Sequence, residues 1–156
     1  MRSVATRSAA AIAPARAADA EAIAALLREA GLPHTDFRAH LAQFLVARER
    51  RGAVVGAIGA EVYGREALLR SLVVAPALRG RGLGGRLVDA LEQAAVVWGV
   101  RRWWLLTTTA EGFFAARGFR REERSAAPAA IAATREFREL CPSAAACLVR
   151  NAEDFR

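Results

Sequence analysis

The chain contains no lysine: all 23 of its basic side chains are arginine, set against 16 acids in 156 residues. That removes one kind of phosphate loop at the outset, since a Walker loop needs a lysine after its last glycine. Arginine in place of every lysine, alongside abundant alanine, looks like the coding bias of a GC-rich genome. The net charge of +7 is therefore weak evidence for a nucleic-acid partner. The arginines are spread along the whole length, with no basic stripe interleaved with aromatics and no nucleic-acid-binding motif. Cysteine is scarce, with only Cys141 and Cys147 near one end. Two such residues form no disulfide framework and suit reduced thiols in a cytoplasm. Their spacing, and that of His34 and His40, matches no zinc pattern, so no metal is expected. No apolar run is long enough to span a membrane. Met1-Arg2 and Arg7 followed by the alanine run 9–13 faintly imitate a signal peptide. That run is short and closed by Pro14, and a first strand explains it equally well.

What is present is enough for one domain over residues 1–156 with a proper core. The chain is organised around residues 68–98. Leu68 to Val74 is a short apolar run rich in branched residues, as a buried strand would be, and Pro76 ends it by removing a ladder donor. Arg79-Gly80-Arg81-Gly82-Leu83-Gly84-Gly85 follows. Its glycines let the backbone turn tightly and bring bare N–H groups close to a ligand. Leu83, Leu87, Leu91, Ala94 and Trp98 then recur at helical spacing, and Gly99 is placed to stop the helix. A glycine loop opening into a helix offers unpaired donors at the positive end of a dipole, which suits phosphate. Gly80-x-Gly82-x-x-Gly85 also fits a dinucleotide fingerprint, but Pro76 and further residues separate it from its strand, and no acid stands in the matching region 100–106. A glycine-rich turn with no ligand is the bland alternative.

Strands are expected at 9–13, from Phe44 to Ala47, from Val54 to Tyr63, and in the central run from Leu68. The last three form an antiparallel meander, turned by Arg50-Arg51-Gly52 and Gly64-Arg65. Gly56 and Gly59 permit a bulge or close packing. Asp19 is placed to cap a helix with the stripe Ile23, Leu26, Leu27 and Ala30, ended by Gly31 and Pro33. Asp36 is placed to cap a second, short helix through Leu41 and Ala42. Arg102 to Thr108 reads as a strand parallel to the central one, with the loop helix as the crossover of a right-handed βαβ unit. A short helix from Ala110 to Arg117 ends at Gly118, and Phe119 enters a sixth strand. A further helix runs from Ala127-Pro128 through Leu140, Ala144 to Val149 is a last strand, and a polar tail begins at Asn151.

Two charges interrupt apolar strands. Glu61 alternates with Val55, Ala57, Gly59 and Tyr63, and needs a reason to be there. It is either an end position in solvent, a salt bridge, or a general base that takes a proton from a substrate ammonium. Arg70 counts to the same strand side as Leu72 and Val74. It either pairs with Glu61 or grips a substrate carboxylate through its bidentate fork, the second being preferred. Thr107, Thr108 and Thr109 either orient substrate or cap the following helix.

With Val74-Ala75-Pro76 upstream, the pattern Arg79-x-x-Gly82-x-Gly84 resembles the acetyl-CoA pyrophosphate loop of the GNAT N-acetyltransferases. The element order agrees with that family. The resemblance implies a mixed α/β GNAT acyl-CoA N-acyltransferase fold, a mostly antiparallel sheet with one parallel βαβ unit. It implies acetyl-CoA held by Arg79, Gly80, Arg81, Gly82, Leu83, Gly84 and Gly85. Its pantetheine arm would bond to the backbone of Leu72 and Val74. Glu61 would be the base, and Arg70 and Thr107 would bind substrate. Family members usually have Tyr where this chain has Phe114, whose ring cannot protonate a leaving thiolate. Leu106-Thr107-Thr108-Thr109-Ala110-Glu111-Gly112-Phe113-Phe114, together with 127–142, Glu61 to Gly64 and Leu69 to Leu72, looks like the arsenic-resistance branch. That implies N-acetylation of small amino-acid toxicants of the phosphinothricin or organoarsenical kind. Another amine, a protein N-terminus, or CoA binding without catalysis are the alternatives. A cytoplasmic protein with no nucleic-acid or membrane partner, and room for a homodimer, completes the expectation.

Overall fold

The computed structural model describes residues 10–152. Residues 1–9, with the arginines that precede the alanine run, and the tail beyond residue 152 lie outside them. The strands, in chain order, are β1 (Ala11–Pro14), β2 (Phe44–Arg48), β3 (Val54–Tyr63), β4 (Glu66–Val74), β5 (Arg102–Thr107), β6 (Arg120–Arg121) and β7 (Ala146–Asn151). The α-helices are α1 (Ala20–Glu29), α2 (Leu83–Trp98), α3 (Glu111–Ala115) and α4 (Ala129–Ala132). The strands form one sheet in the order β1-β2-β3-β4-β5-β7-β6. Its β4–β5 pair is parallel, with α2 as the crossover. The β3–β4 pair turns through Gly64-Arg65, a connection only antiparallel neighbours can use. The last strand does not add to an edge. β7 inserts between β5 and β6 and pairs antiparallel with both.

The chain divides into two compact units. The first comprises residues 1–59 and 71–93, of which 10–59 and 71–93 are described. Its core joins Ile23, Ala24 and Leu27 of α1 to Phe37, Phe44, Val46, Ala57 and Val73. Close packing explains Gly59. Phe44 stands opposite Gly59 across the strands, and a Cβ on Gly59 would sit 2.1 Å from its ring. The pair also carries the irregularity that Gly56 was expected to permit: Ala47 pairs with Gly56 and Arg48 with Val54, so Val55 of β3 is skipped beside Gly56. The segment expected as a short α-helix after Asp36 is a 3-10 stretch, Phe37–Gln43, that buries Phe37. Ala30 falls outside the stripe expected of it, since α1 ends at Glu29.

The second unit comprises residues 60–70 and 94–156, described to 152. Leu68, Trp104, Ile131, Cys147 and Val149 form its core cluster. Trp103, Trp104 and Leu105 are consecutive and all buried, so β5 is covered on both faces. Arg102 and Trp104 both hold Glu66, through Nε at 3.0 Å, Nη2 at 3.0 Å and the indole N–H at 2.8 Å, which fixes the register of the parallel pair. The helix expected through Leu140 is broken. The Thr134 hydroxyl donates to the Ile131 carbonyl at 2.7 Å and accepts the Phe137 N–H at 3.3 Å, displacing backbone partners there. The chain resumes as a π turn, Glu136–Leu140, closed by the Cys141 N–H on the Glu136 carbonyl. The expected sixth strand shrinks to two residues.

Asp19 occupies the expected cap position of α1, but its side chain makes no cap bond. The carboxylate instead takes both terminal nitrogens of Arg48, each at 2.9 Å, and the Arg16 N–H at 2.8 Å. It thereby ties the start of α1 to the end of β2. Hydrogen bonding from Arg48 outweighs burial and holds the Asp19 carboxyl down from 3.8 to about 2. A carboxyl depressed by folding stabilises above its ordinary value and loses that contribution as pH falls through the folded one. We expect wild type to exceed Asp19→Asn by roughly 2 kcal/mol near neutrality. The gap should close as pH falls from about 4 to about 2, read from urea midpoints. A gap independent of pH would show that the charge of Asp19 is not what holds α1 to β2.

Candidate functional site

In the first unit, the strand β4 gives way at Pro76 to a 3-10 turn, Pro76–Leu78, and then to the glycine loop. Gly80 and Gly82 have φ of +80° and +86°, the left-handed region that a side chain strains. No heavy atom lies within 4 Å of a Cβ built on either, so space is open in front of the loop. The first bond closing α2 runs from the Arg86 N–H to the Gly82 carbonyl at 3.1 Å. The amides of Gly82, Leu83 and Gly84 therefore come before the helical ladder, where donors face outward. No acid stands in the first turn. Arg79, Arg81 and Arg86 are exposed around it. Arg79 turns its Nε back to the Val74 carbonyl at 3.0 Å, so one of the backbone groups expected to meet pantetheine is bonded to the loop's own arginine. Arg86 reaches the Ala10 carbonyl at 2.9 Å. Such a loop can receive a pyrophosphate: unpaired donors, a dipole end and arginine act on the same spot.

Leu72 and Val74 are both half-buried. Ser71, just before them, has φ of +62°, and among the described residues it is the one non-glycine with positive φ. A left-handed residue inside a strand breaks the two-residue alternation. The count that places Arg70 on one side with Leu72 and Val74 does not carry across it. Nothing in the sequence signals this, because serine has no marked preference for that conformation.

In the second unit, Glu61 and Arg70 come together. Glu61 is 2% exposed, which excludes the solvent position weighed for it. Its Oε2 lies 2.6 Å from Arg70 Nη1, and its Oε1 accepts the Tyr63 hydroxyl at 2.5 Å. The Arg70 side chain has no exposure. Of the two partners weighed for it, the structure supplies Glu61 and adds a second carboxylate, Glu136, whose Oε2 is 3.3 Å from Nε. Glu136 is buried at the start of the π turn, and sequence reasoning missed it, since it falls among ordinary helix positions. The Cys141 thiol donates to its other oxygen at 3.8 Å. Thr107 accepts the Ala110 N–H at 2.9 Å on its hydroxyl, which closes the turn before α3 but does not cap it: the cap position is Ala110, and no side chain bonds the first helical amides.

Phe114 is buried edge-on against Phe113 and Phe119, with ring centroids at 5.0 and 5.4 Å. It packs and offers no proton. The cysteines are free. Burial pushes Cys141 up to about 12, helped by the charge of Glu136, and burial pushes Cys147 up to about 11. Both stay protonated; Cys147 packs in the core as a small hydrophobe, while half-buried Cys141 keeps its thiol on Glu136. No cluster of metal-binding side chains occurs among the described residues, and none of their helices is long and apolar enough to cross a membrane.

Residues 40–121, more than half of the chain, match the family model described as an acetyltransferase (GNAT) domain. No curated protein matches the chain significantly. Among solved structures, N-acetylglutamate synthase from Neisseria gonorrhoeae, complexed with coenzyme A and N-acetyl-glutamate, superposes with a TM-score of 0.80 at 24% identity, over 91% of this chain and 35% of that one. The chain thus spans about a third of that enzyme's length. Rv2747 from Mycobacterium tuberculosis, in complex with CoA and NLQ, gives a TM-score of 0.77 at 25% identity, over 90% and 98%. Ard1 from Thermoplasma volcanium gives 0.71 at 19%, over 92% and 98%.

A buried guanidinium between two carboxylates makes a specific stability prediction. Removing Arg70 leaves both acids without it, so Arg70→Met should cost about 3–5 kcal/mol. The loss is read as a lowered urea midpoint. A variant as stable as wild type would show that the cluster adapts without its cation.

Proposed function

Because the chain belongs to the GNAT acetyltransferase family and carries its acyl-CoA N-acyltransferase fold, we propose that it moves the acetyl group of acetyl-CoA to the amine of a small, amino-acid-like molecule. The observation that carries this is the open glycine loop at the start of α2, with Gly80 and Gly82 left-handed. Arg79 to Gly85 hold the pyrophosphate through backbone donors and arginine charge, while Leu72 and the edge of β4 receive the pantetheine arm. The acceptor class is supported by a neighbour's own contents: the gonococcal synthase holds CoA with N-acetyl-glutamate, an N-acetylated amino acid. A toxicant of the arsenic-resistance type is the narrower form of this reading, and it rests on sequence resemblance in residues 61–72 and 106–142. Acetyl-CoA and protonated thiols fit a cytoplasmic setting.

An ammonium has no lone pair, so the acceptor must lose a proton before its nitrogen attacks the thioester. Glu61 is the base in this reading. The substrate role expected of Arg70 gives way to a positioning one, since Glu61 and Glu136 already neutralise it. With Phe114 lacking a hydroxyl, the thiolate leaves unprotonated or through water. Free thiols ionise near 8.5, which makes that tolerable. The same absence favours a second reading, a CoA-binding protein without catalysis.

One assay separates the two. CoA thiol release is measured with a panel of amino acids, phosphinothricin, simple amines and peptide N-termini. Release dependent on amino acids is expected, and no release with any acceptor would overturn the enzyme reading. The loop is tested by Gly84→Val, because Gly82 at positive φ would strain under any side chain. Losing a charged backbone contact is worth about 1.5–3 kcal/mol, a roughly ten- to hundredfold rise in the acetyl-CoA Kd. An unchanged Kd would remove the loop from the site.

A further inference from the structure

Glu61 is the expected base, yet its carboxylate is 2% exposed and each oxygen is already held, one by Arg70 and one by the Tyr63 hydroxyl. The half-buried member of this chain of contacts is Tyr63, at the last position of β3. It is the only tyrosine in the sequence. We propose that Tyr63 relays the proton: its hydroxyl takes one from the acceptor ammonium while its own passes to Glu61, with Arg70 and Glu136 as positioning residues behind. This deepens the reading of Glu61 as base and rests on it.

The step balances. An N–H bond of the ammonium breaks and its electron pair stays on nitrogen. That proton binds the Tyr63 oxygen, and the former hydroxyl proton binds Glu61 Oε1. Tyr63 is neutral before and after, and Glu61 resets by returning its proton through Tyr63 to water. The second carboxylate on Arg70 makes the step affordable. A protonated Glu61 no longer neutralises the guanidinium, and an unpaired buried guanidinium is costly. Glu136, 3.3 Å from Nε, keeps it paired throughout. The groups facing Glu61 include Tyr63 from its own strand and Arg70 from β4, with Glu136 and the Cys141 thiol beyond Arg70 from the C-terminal turn.

The test measures kcat, KM and their pH profiles with acetyl-CoA and phosphinothricin, or the panel's fastest amino acid if that exceeds it. Glu61→Gln and Tyr63→Phe should each lower kcat by roughly a hundredfold or more, with little change in KM and a flattened rising limb. The double variant should be no slower than the slower single one. Glu136→Gln should lower kcat and displace the rising limb without raising KM; an unmoved profile removes it from the relay. A slow Glu61→Gln beside a Tyr63→Phe of wild-type rate and profile overturns the relay and leaves Glu61 as base. Independent, multiplying losses overturn it as well. Wild-type rates in both single variants, or no turnover with any acceptor, overturn the base reading together with the relay. Should Tyr63→Phe fail to fold, the wild-type rate is followed against deuterium fraction: a bowed plot, two protons in flight, supports the relay, and a straight one refutes it.

Discussion

A guanidinium removed from water has to be neutralised where it stands, and Arg70 is neutralised twice. Glu61 comes from the neighbouring strand and Glu136 from the segment before the last strand, so one buried cation ties together parts of the second unit that are far apart in sequence. Both contacts are enclosed, at 2.6 Å to Glu61 and 3.3 Å to Glu136, which raises the cost of losing any member more than it raises net stability. The shape of the surrounding chain follows from this demand. A regular helix through Leu140 is interrupted at Thr134, and the π turn that replaces it begins at the carboxylate Arg70 requires. Wider turns of this kind recur at functional sites because they let a side chain leave the ordinary helical period.

The glycine loop answers an opposite requirement. Where Arg70 needs enclosure, a phosphate needs bare donors and room. Left-handed glycines at 80 and 82 turn the chain into α2 with no side chain in front of it. Leu83, Leu87 and Leu91 bury the other face of the helix and hold it in place. The pairing of Asp19 with Arg48 does similar anchoring for α1, in place of the cap that Asp19 was expected to make.

Much of this was legible in local sequence. The bounds of β3, the start and stop of α2 and the turns at Gly52 and Gly64 all came from residue types with strong conformational preferences. The loop resemblance led to the right family by the same route, since glycine spacing reports backbone shape directly. The misreadings arose where a side chain or backbone departed from its usual local preference. A bidentate arginine drew the Asp19 carboxylate away from its cap, Thr134 turned on its own backbone, and Ser71 adopted a conformation serine rarely takes. In the first, a contact with a residue distant in sequence outweighed a local preference worth about 1 kcal/mol.

The sequence by itself determined most of the elements, the glycine loop that opens into α2 and the anomaly of two charges in apolar strands, because propensity, periodicity and glycine's freedom act within a few residues. Only the tertiary structure decided who answers Arg70, that Tyr63 stands on Glu61, and that β7 enters between β5 and β6. Ion pairing and strand insertion depend on which surfaces meet after collapse. Two acids of identical chemistry, such as Glu136 and Glu139, are told apart by burial alone.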